Sequence, residues 1–220
     1  MGWTSYFDPT SRRAGDRPMV HRDVTLSGAS ALTRGAVLGR VAAGSASSAA
    51  KSGGNTGNGT FVLNVSTPEL VNVLPGVYTV RFTTTTNIRL SDPRGDVLGD
   101  YAITATTGQT ATVLDQIKGV VTEGSSTFAA GDGFDITVAT ADKYILSVAT
   151  AIDGSQVPAA ILATDTDPSA GDLTAPVYFE GEFAFEQLSY DASWTSFAQL
   201  DAAFRQSGSE IFVRQLGQLG

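Results

Sequence analysis

A chain of 220 residues with 42% hydrophobic side chains can bury a real core in one domain or two small ones, which excludes disorder as its main state. Its formal charge of -8 opposes non-specific nucleic-acid binding, which relies on Lys and Arg neutralising phosphates. The absence of cysteine excludes disulfides and thiolate metal sites, and no apolar run approaches the ~20 residues of a membrane span.

Residues 1–30 form a polar N-terminal arm. Over residues 1–40, Arg12, Arg13, Arg17, Arg22, Arg34 and Arg40 face Asp8, Asp16 and Asp23, so this stretch is +3 and the remainder -11. A basic arm on an acidic body suits an acidic protein surface; a solvated terminus is the alternative. The first thirty residues never run apolar for the ~7–15 positions of a secretion signal, so synthesis in the cytosol is expected.

Leu32 to Val41 reads as a first strand. Ala43 to Gly59 holds mainly Ala, Ser, Gly and Asn, too little apolar surface to pack, and predicts a flexible connection. From Thr60 to Ala141 the period is two. Phe61, Leu63 and Val65 alternate, as do Tyr78, Val80 and Phe82, then Ile88 and Leu90, then Phe134, Ile136 and Val138. Turns at Leu74-Pro75-Gly76, Asp92-Pro93-Arg94-Gly95 and Ala130-Gly131-Asp132-Gly133 separate these runs, as in a small antiparallel sandwich.

After Asp142 the β pattern continues through Tyr144, Leu146 and Val148, through Pro158 to Leu162, and through Val177, Phe179, Phe183 and Phe185 on one face. Tyr178, Glu180 and Glu182 are expected on the other. Trp194, Phe197, Leu200 and Phe204 then recur every three to four residues, which predicts the one helix, capped by Ser193 or Thr195 and ended by Gly208.

Catalytic chemistry finds little support. His21 is the one histidine and lies in the arm, so a Ser-His-Asp triad would need its base from a tail. Asp165, Asp167 and Asp172 form the best carboxylate cluster, but Pro168 and the lack of a Glu at the twelfth position break a calcium-loop pattern. Glu180 and Glu182 stand about 7 Å apart on one strand, a loose match to a glycosidase pair with no sugar platform beside it. Arg94-Gly95-Asp96 matches a cell-adhesion tripeptide, yet it lies within Asp92-Pro93-Arg94-Gly95, where turn geometry already explains every residue. The Gly-rich run 53–59 lacks the Lys-Ser/Thr ending of a phosphate loop. No enzyme activity, metal or cofactor is expected.

Three stretches carry a resemblance. They are Leu32-Thr33-Arg34-Gly35-Ala36-Val37-Leu38-Gly39-Arg40-Val41; Lys143-Tyr144-Ile145-Leu146 leading through Asp153–Ala163 to Asp165–Asp172; and Val177-Tyr178-Phe179-Glu180-Gly181-Glu182-Phe183. In this order, followed by a short helix, they resemble the lambda-type head decoration proteins of tailed phages. Family members separate the first two stretches by only a few residues. The roughly one hundred intervening here read as a β-domain inserted at a loop tip. The expected organisation is an arm at 1–30, a discontinuous decoration domain at 31–59 and 142–220, and an insert at 60–141.

The resemblance implies a mainly β, homotrimeric cement on the outer capsid surface of the virion, which stabilises the head against internal DNA pressure. Its partner is the major capsid protein, with no nucleic acid and no membrane involved. The arm would order beside a capsid strand, with Asp23-Val24-Thr25-Leu26 as its strand. Trp3, Tyr6 and Phe7 would be its anchors, and Arg12, Arg13, Arg17, Arg22, Val24 and Leu26 complete the expected contact set. An alternative makes the insert a module for host-surface or glycan attachment, carried by the decoration domain and suggested by Thr83, Thr84, Thr85 and Thr86.

Overall fold

The computed structural model describes residues 14, 15 and 17–216. In chain order its strands are β1 (Val20–Leu26), β2 (Val37–Ala50), β3 (Thr60–Leu63), β4 (Gly76–Thr84), β5 (Asn87–Ser91) and β6 (Val97–Ala102). They continue with β7 (Thr110–Leu114), β8 (Lys118–Thr122), β9 (Gly133–Leu146), β10 (Pro158–Leu162), β11 (Leu173–Ala184) and β12 (Glu210–Arg214). One α-helix, α1 (Phe197–Gln206), precedes β12, and the fold is mainly β. The chain divides into two compact units, residues 1–41 with 143–220, and residues 42–142. It leaves the first unit within β2 and returns within β9.

The unit of residues 42–142 has one core between two antiparallel layers. In one layer β4 lies between β9 and β5, and β6 pairs with β5; in the other β8 lies between β3 and β7. The alternating Tyr78, Val80 and Phe82 of β4, Ile88 and Leu90 of β5, and Phe134, Ile136 and Val138 of β9 meet Phe61, Val113 and Val121 of the second layer. Phe128 joins them, its ring stacked 4.4 Å from that of Phe82. Val65 departs from the expected alternation because β3 ends at Leu63, and it is 95% exposed.

The expected flexible connection at 43–59 does not exist as such. β2 continues to Ala50, with Ala43 and Ala46 packed on the core. The following loop is fixed by side chains that stand in for a strand. Asn55 exchanges two hydrogen bonds with the Gly133 backbone (2.8 and 3.0 Å), and the buried Asp132 carboxylate accepts from the N–H groups of Thr56, Gly57 and Ala129. A run poor in apolar groups is ordered here by backbone pairing and buried hydrogen bonds, terms that composition does not register.

The other unit is a sheet in which β11 lies between β1 and β10, β10 pairs with β2, and β12 lies parallel to β11. Both faces are covered. Leu26, Leu38, Leu162 and Val177 pack on one; Val37, Ile161, Phe183, Leu200 and Phe204 pack on the other. Adjacent apolar pairs such as Val37-Leu38 and Ile161-Leu162 follow from this, since neighbouring side chains of a strand point to opposite faces.

One face assignment is corrected. Val177 and Phe183 were expected together, yet they lie in different clusters, and Phe183 packs with Tyr178, ring centroids 5.6 Å apart. The pairing steps from Val20↔Glu180 to His21↔Tyr178, so Phe179 is an extra residue in β11. Such a bulge reverses which residues face which side beyond it.

The helix starts later than its periodicity suggests. Ser196 is the cap, accepting from the Gln199 N–H at 3.2 Å, while the Gln199 side chain accepts from the Thr195 N–H at 2.8 Å. Ser193 instead accepts from the Ala149 N–H, and the buried Trp194 donates its indole N–H to the Ser147 carbonyl (3.0 Å) ahead of the helix. Gly208, at φ +69°, follows the helix end as expected.

Candidate functional site

The N-terminal segment holds the candidate contact residues. Trp3, Tyr6, Phe7, Arg12 and Arg13 lie outside the described residues. The others are gathered along β11 and β12. β1 runs antiparallel to β11, from Val20 opposite Glu180 to Leu26 opposite Leu173. Val24 is opposite Ala175 and packs partly on the core, and Leu26 is fully buried in it.

An arm strand at Asp23–Leu26, available to another polypeptide, was the expectation. In the structure its backbone already pairs with this chain's own β11, and Leu26 is a core residue. The physical reason is local: Val24 and Leu26 share a strand face that finds apolar cover beside Val177, and pairing with β11 satisfies the strand's inner N–H and C=O groups. The outer edge is different. Among the described residues no strand pairs with it over Val20–Thr25, and Leu26 alone meets β9, opposite Tyr144. Val20, His21, Arg22 and Asp23 are exposed. β1 is therefore an edge strand with one row of backbone groups open.

The root of the segment is tied down by residues the sequence reading did not single out. Ala14 donates its N–H to the Glu182 carbonyl (2.9 Å). A Cβ on Gly15 would fall 1.3 Å from the Glu182 side chain, so this place admits only glycine unless Glu182 moves. Arg17 pairs with Glu210 (2.9 Å) and lies over the Phe212 ring at 4.0 Å, and Arg205 approaches the same ring at 4.0 Å. Arg22 lies over Phe179 at 4.5 Å. Both expected arginines of the described arm thus bind aromatic rings of their own domain. The signal that could have found this is the half-buried aromatic on each partner strand, Phe179 among the alternating residues of β11 and Phe212 in the last one.

Glu182 is an anchor for this segment. Arg214 beside it, bonded at 2.9 Å, holds its carboxyl below the usual range, with Arg17 adding to the effect. Glu180 lies between Val20 and Glu210 on the neighbouring strands. His21 stacks edgewise against Tyr178, centroids 6.4 Å apart.

The Asp165–Asp172 loop is equally committed. Asp165 accepts from the Arg34 N–H (2.6 Å), Asp167 caps Ser169 (3.0 Å), and Asp172 pairs with Lys143. The Ser169 contacts hold the Asp167 carboxyl low, and Lys143 followed by Ser27 does the same for Asp172. Among the described residues no group of three metal-ligating side chains converges. Arg94-Gly95-Asp96 forms the tip of the β5–β6 hairpin, in the unit of residues 42–142.

Comparison with known proteins gives a family. Residues 14–211 match the model of the bacteriophage lambda head decoration protein D family. No curated protein matches the sequence. Two crystal structures of FlgL from Xanthomonas campestris, in space groups H3 and C2, align with 49% of this chain at 22% identity and a TM-score of 0.31. The alignment spans 34% and 33% of those chains, about a third of their length.

Proposed function

Because this chain belongs to the lambda head decoration protein family, whose members decorate the phage capsid, we propose that it is a trimeric cement on the outer surface of the head. It clamps neighbouring capsid subunits and resists the pressure of packaged DNA by adding contact area across joints that must part before the shell bursts. The family match over residues 14–211 carries the reading. The open edge of β1 supports it, since a strand added there gains main-chain hydrogen bonds. In this reading the arm residues ahead of Ala14 continue along the capsid, Trp3, Tyr6 and Phe7 supply anchors, and three arms per trimer multiply weak contacts through effective concentration. Residues 42–142 are a domain inserted into the decoration fold. The role requires no turnover and no cofactor.

The test uses capsids stripped of the protein and then reloaded. Reloaded particles should survive heating and loss of divalent ions better than bare ones, and removal of residues 2–13 should abolish reloading while the chain stays trimeric by sedimentation. Equal survival of bare and reloaded particles would refute the cement role; a monomeric full-length chain on the shell would refute the trimer.

A further inference from the structure

β7 lies at one end of its sheet, paired with β8 on one side and, among the described residues, with no strand on the other. The Glu123 N–H donates to the Gln109 carbonyl (2.8 Å), so the main chain of Gln109 is turned toward the β8 side. Main-chain groups of an antiparallel ladder alternate, which turns those of Ala111 and Val113 to β8 and those of Thr110 and Thr112 to the open edge. Leu114, the next residue in the outward row, is bonded through its backbone to the Tyr101 hydroxyl. The free row is therefore the N–H and C=O groups of Thr110 and Thr112.

Charge and register both point to a second copy of this chain as what pairs there. Residues 42–142 hold five Lys or Arg and nine Asp or Glu, a net charge of -4, and the whole chain is -8, so copies repel one another. Edge strands are commonly guarded by charge. β1 carries Arg22 and Asp23, β6 carries Asp100, and β12 begins with Glu210 and ends with Arg214. β7 reads Thr110-Ala111-Thr112-Val113-Leu114 and has no charge, and the exposed Val62 and Val120 extend the uncharged surface over β3 and β8. Two acidic copies can meet along such a strip at the least electrostatic cost. The strand is also self-complementary. Antiparallel pairing centred on Ala111 sets Thr110 opposite the partner's Thr112 and Thr112 opposite the partner's Thr110. Each pair exchanges both of its N–H and C=O bonds, the free row is used up, and Thr meets Thr with no like charges opposed.

We propose that β7 is a self-association edge, at which two copies join their three-stranded sheets about a two-fold axis passing at Ala111. The contact is short, so it is a weak one that high local concentration populates. It does not depend on the cement role.

The experiment follows the full-length chain by sedimentation over a range of concentration and salt. The average mass should rise with concentration toward twice that of the smallest species, and should rise further as salt screens the net charge. Thr112→Pro removes an N–H that β8 does not use, and Thr112→Lys brings like charges together at the axis. Each should weaken association by at least about tenfold and keep the wild-type melting temperature. Because the chain has no cysteine, the register can be read by cross-linking. A mixture of Thr110→Cys and Thr112→Cys chains should form a disulfide at least about ten times faster than either chain alone, since opposed Cα atoms stand about 5.5 Å apart and diagonal ones about 7–8 Å. A mass independent of concentration overturns the proposal. So does association that survives both substitutions at Thr112 or weakens with salt, or cross-linking with no preference for the mixture.

Discussion

Residues 42–142 keep a single core between two sheets, whereas residues 14–41 with 143–216 divide their apolar side chains between the two faces of one sheet. The difference governs what each unit can offer a partner. In the first, every strand has an inner and an outer side, and the outer side is free for display. In the second, the sheet faces are largely taken, so that what remains open among the described residues is the edge strands, β1 with the segment that leads into it and β12, which pairs with β11 alone.

If the two cores are separable, damage to one should leave the other protected. The largest effect is expected from Phe128→Ala. Phe128 is fully buried against Phe82 and makes an edgewise contact with Phe134, so its loss should cost about 3–5 kcal/mol. Hydrogen exchange should show faster opening of β4 and β9 amides before Asp142, with β10 and β11 unchanged; equal acceleration in both units would break the comparison. Next comes Leu26→Ala, expected to cost about 2–5 kcal/mol in the other unit. Amides of β1 should then exchange faster while those of β4 and β5 keep their wild-type rates.

Asp132 sharpens the contrast through pH. Burial pushes its carboxyl up, but the N–H groups of Ala129, Gly57 and Thr56 outweigh that and hold it below the ordinary value. A depressed native value means that the stabilisation is complete above about pH 4, the unfolded range for Asp, and fades as pH falls through the native value. Asp132→Asn should lower the neutral-pH stability of residues 42–142 by about 1–3 kcal/mol and flatten the acid limb of its unfolding curve. A limb as steep as wild type would assign the acid sensitivity elsewhere. The smallest effect is Ser196→Ala, about 1 kcal/mol from the loss of the α1 cap. Its readout is a lower denaturation midpoint confined to the helical unit.

Legibility in the sequence follows the same division. Tyr78, Val80, Phe82, Ile88 and Leu90 are one-sided strand residues, and period two identified each of them as core. Where both faces are buried, periodicity loses its meaning, and β11 misled it through one bulged residue. The ordered stretch at 43–59 was invisible because Asn55 and Asp132, polar residues 77 positions apart in the chain, fix it by hydrogen bonds. At the candidate site, the basic and aromatic character of the arm was legible. The attachment of its root was not, since Gly15 against Glu182 and Arg17 over Phe212 join the two ends of the chain.

The bulge at Phe179 has a consequence for mutability. A pleated strand reads its side chains in a frame of two, and one surplus residue sets the frame for everything downstream, here Gly181 and Phe183 against Ile211 and Val213. Deleting Phe179 would leave composition almost untouched and yet exchange left for right along the rest of β11, turning Phe183 away from the helix and Glu182 toward it. Variation in length should therefore be far rarer at this point than variation in residue type.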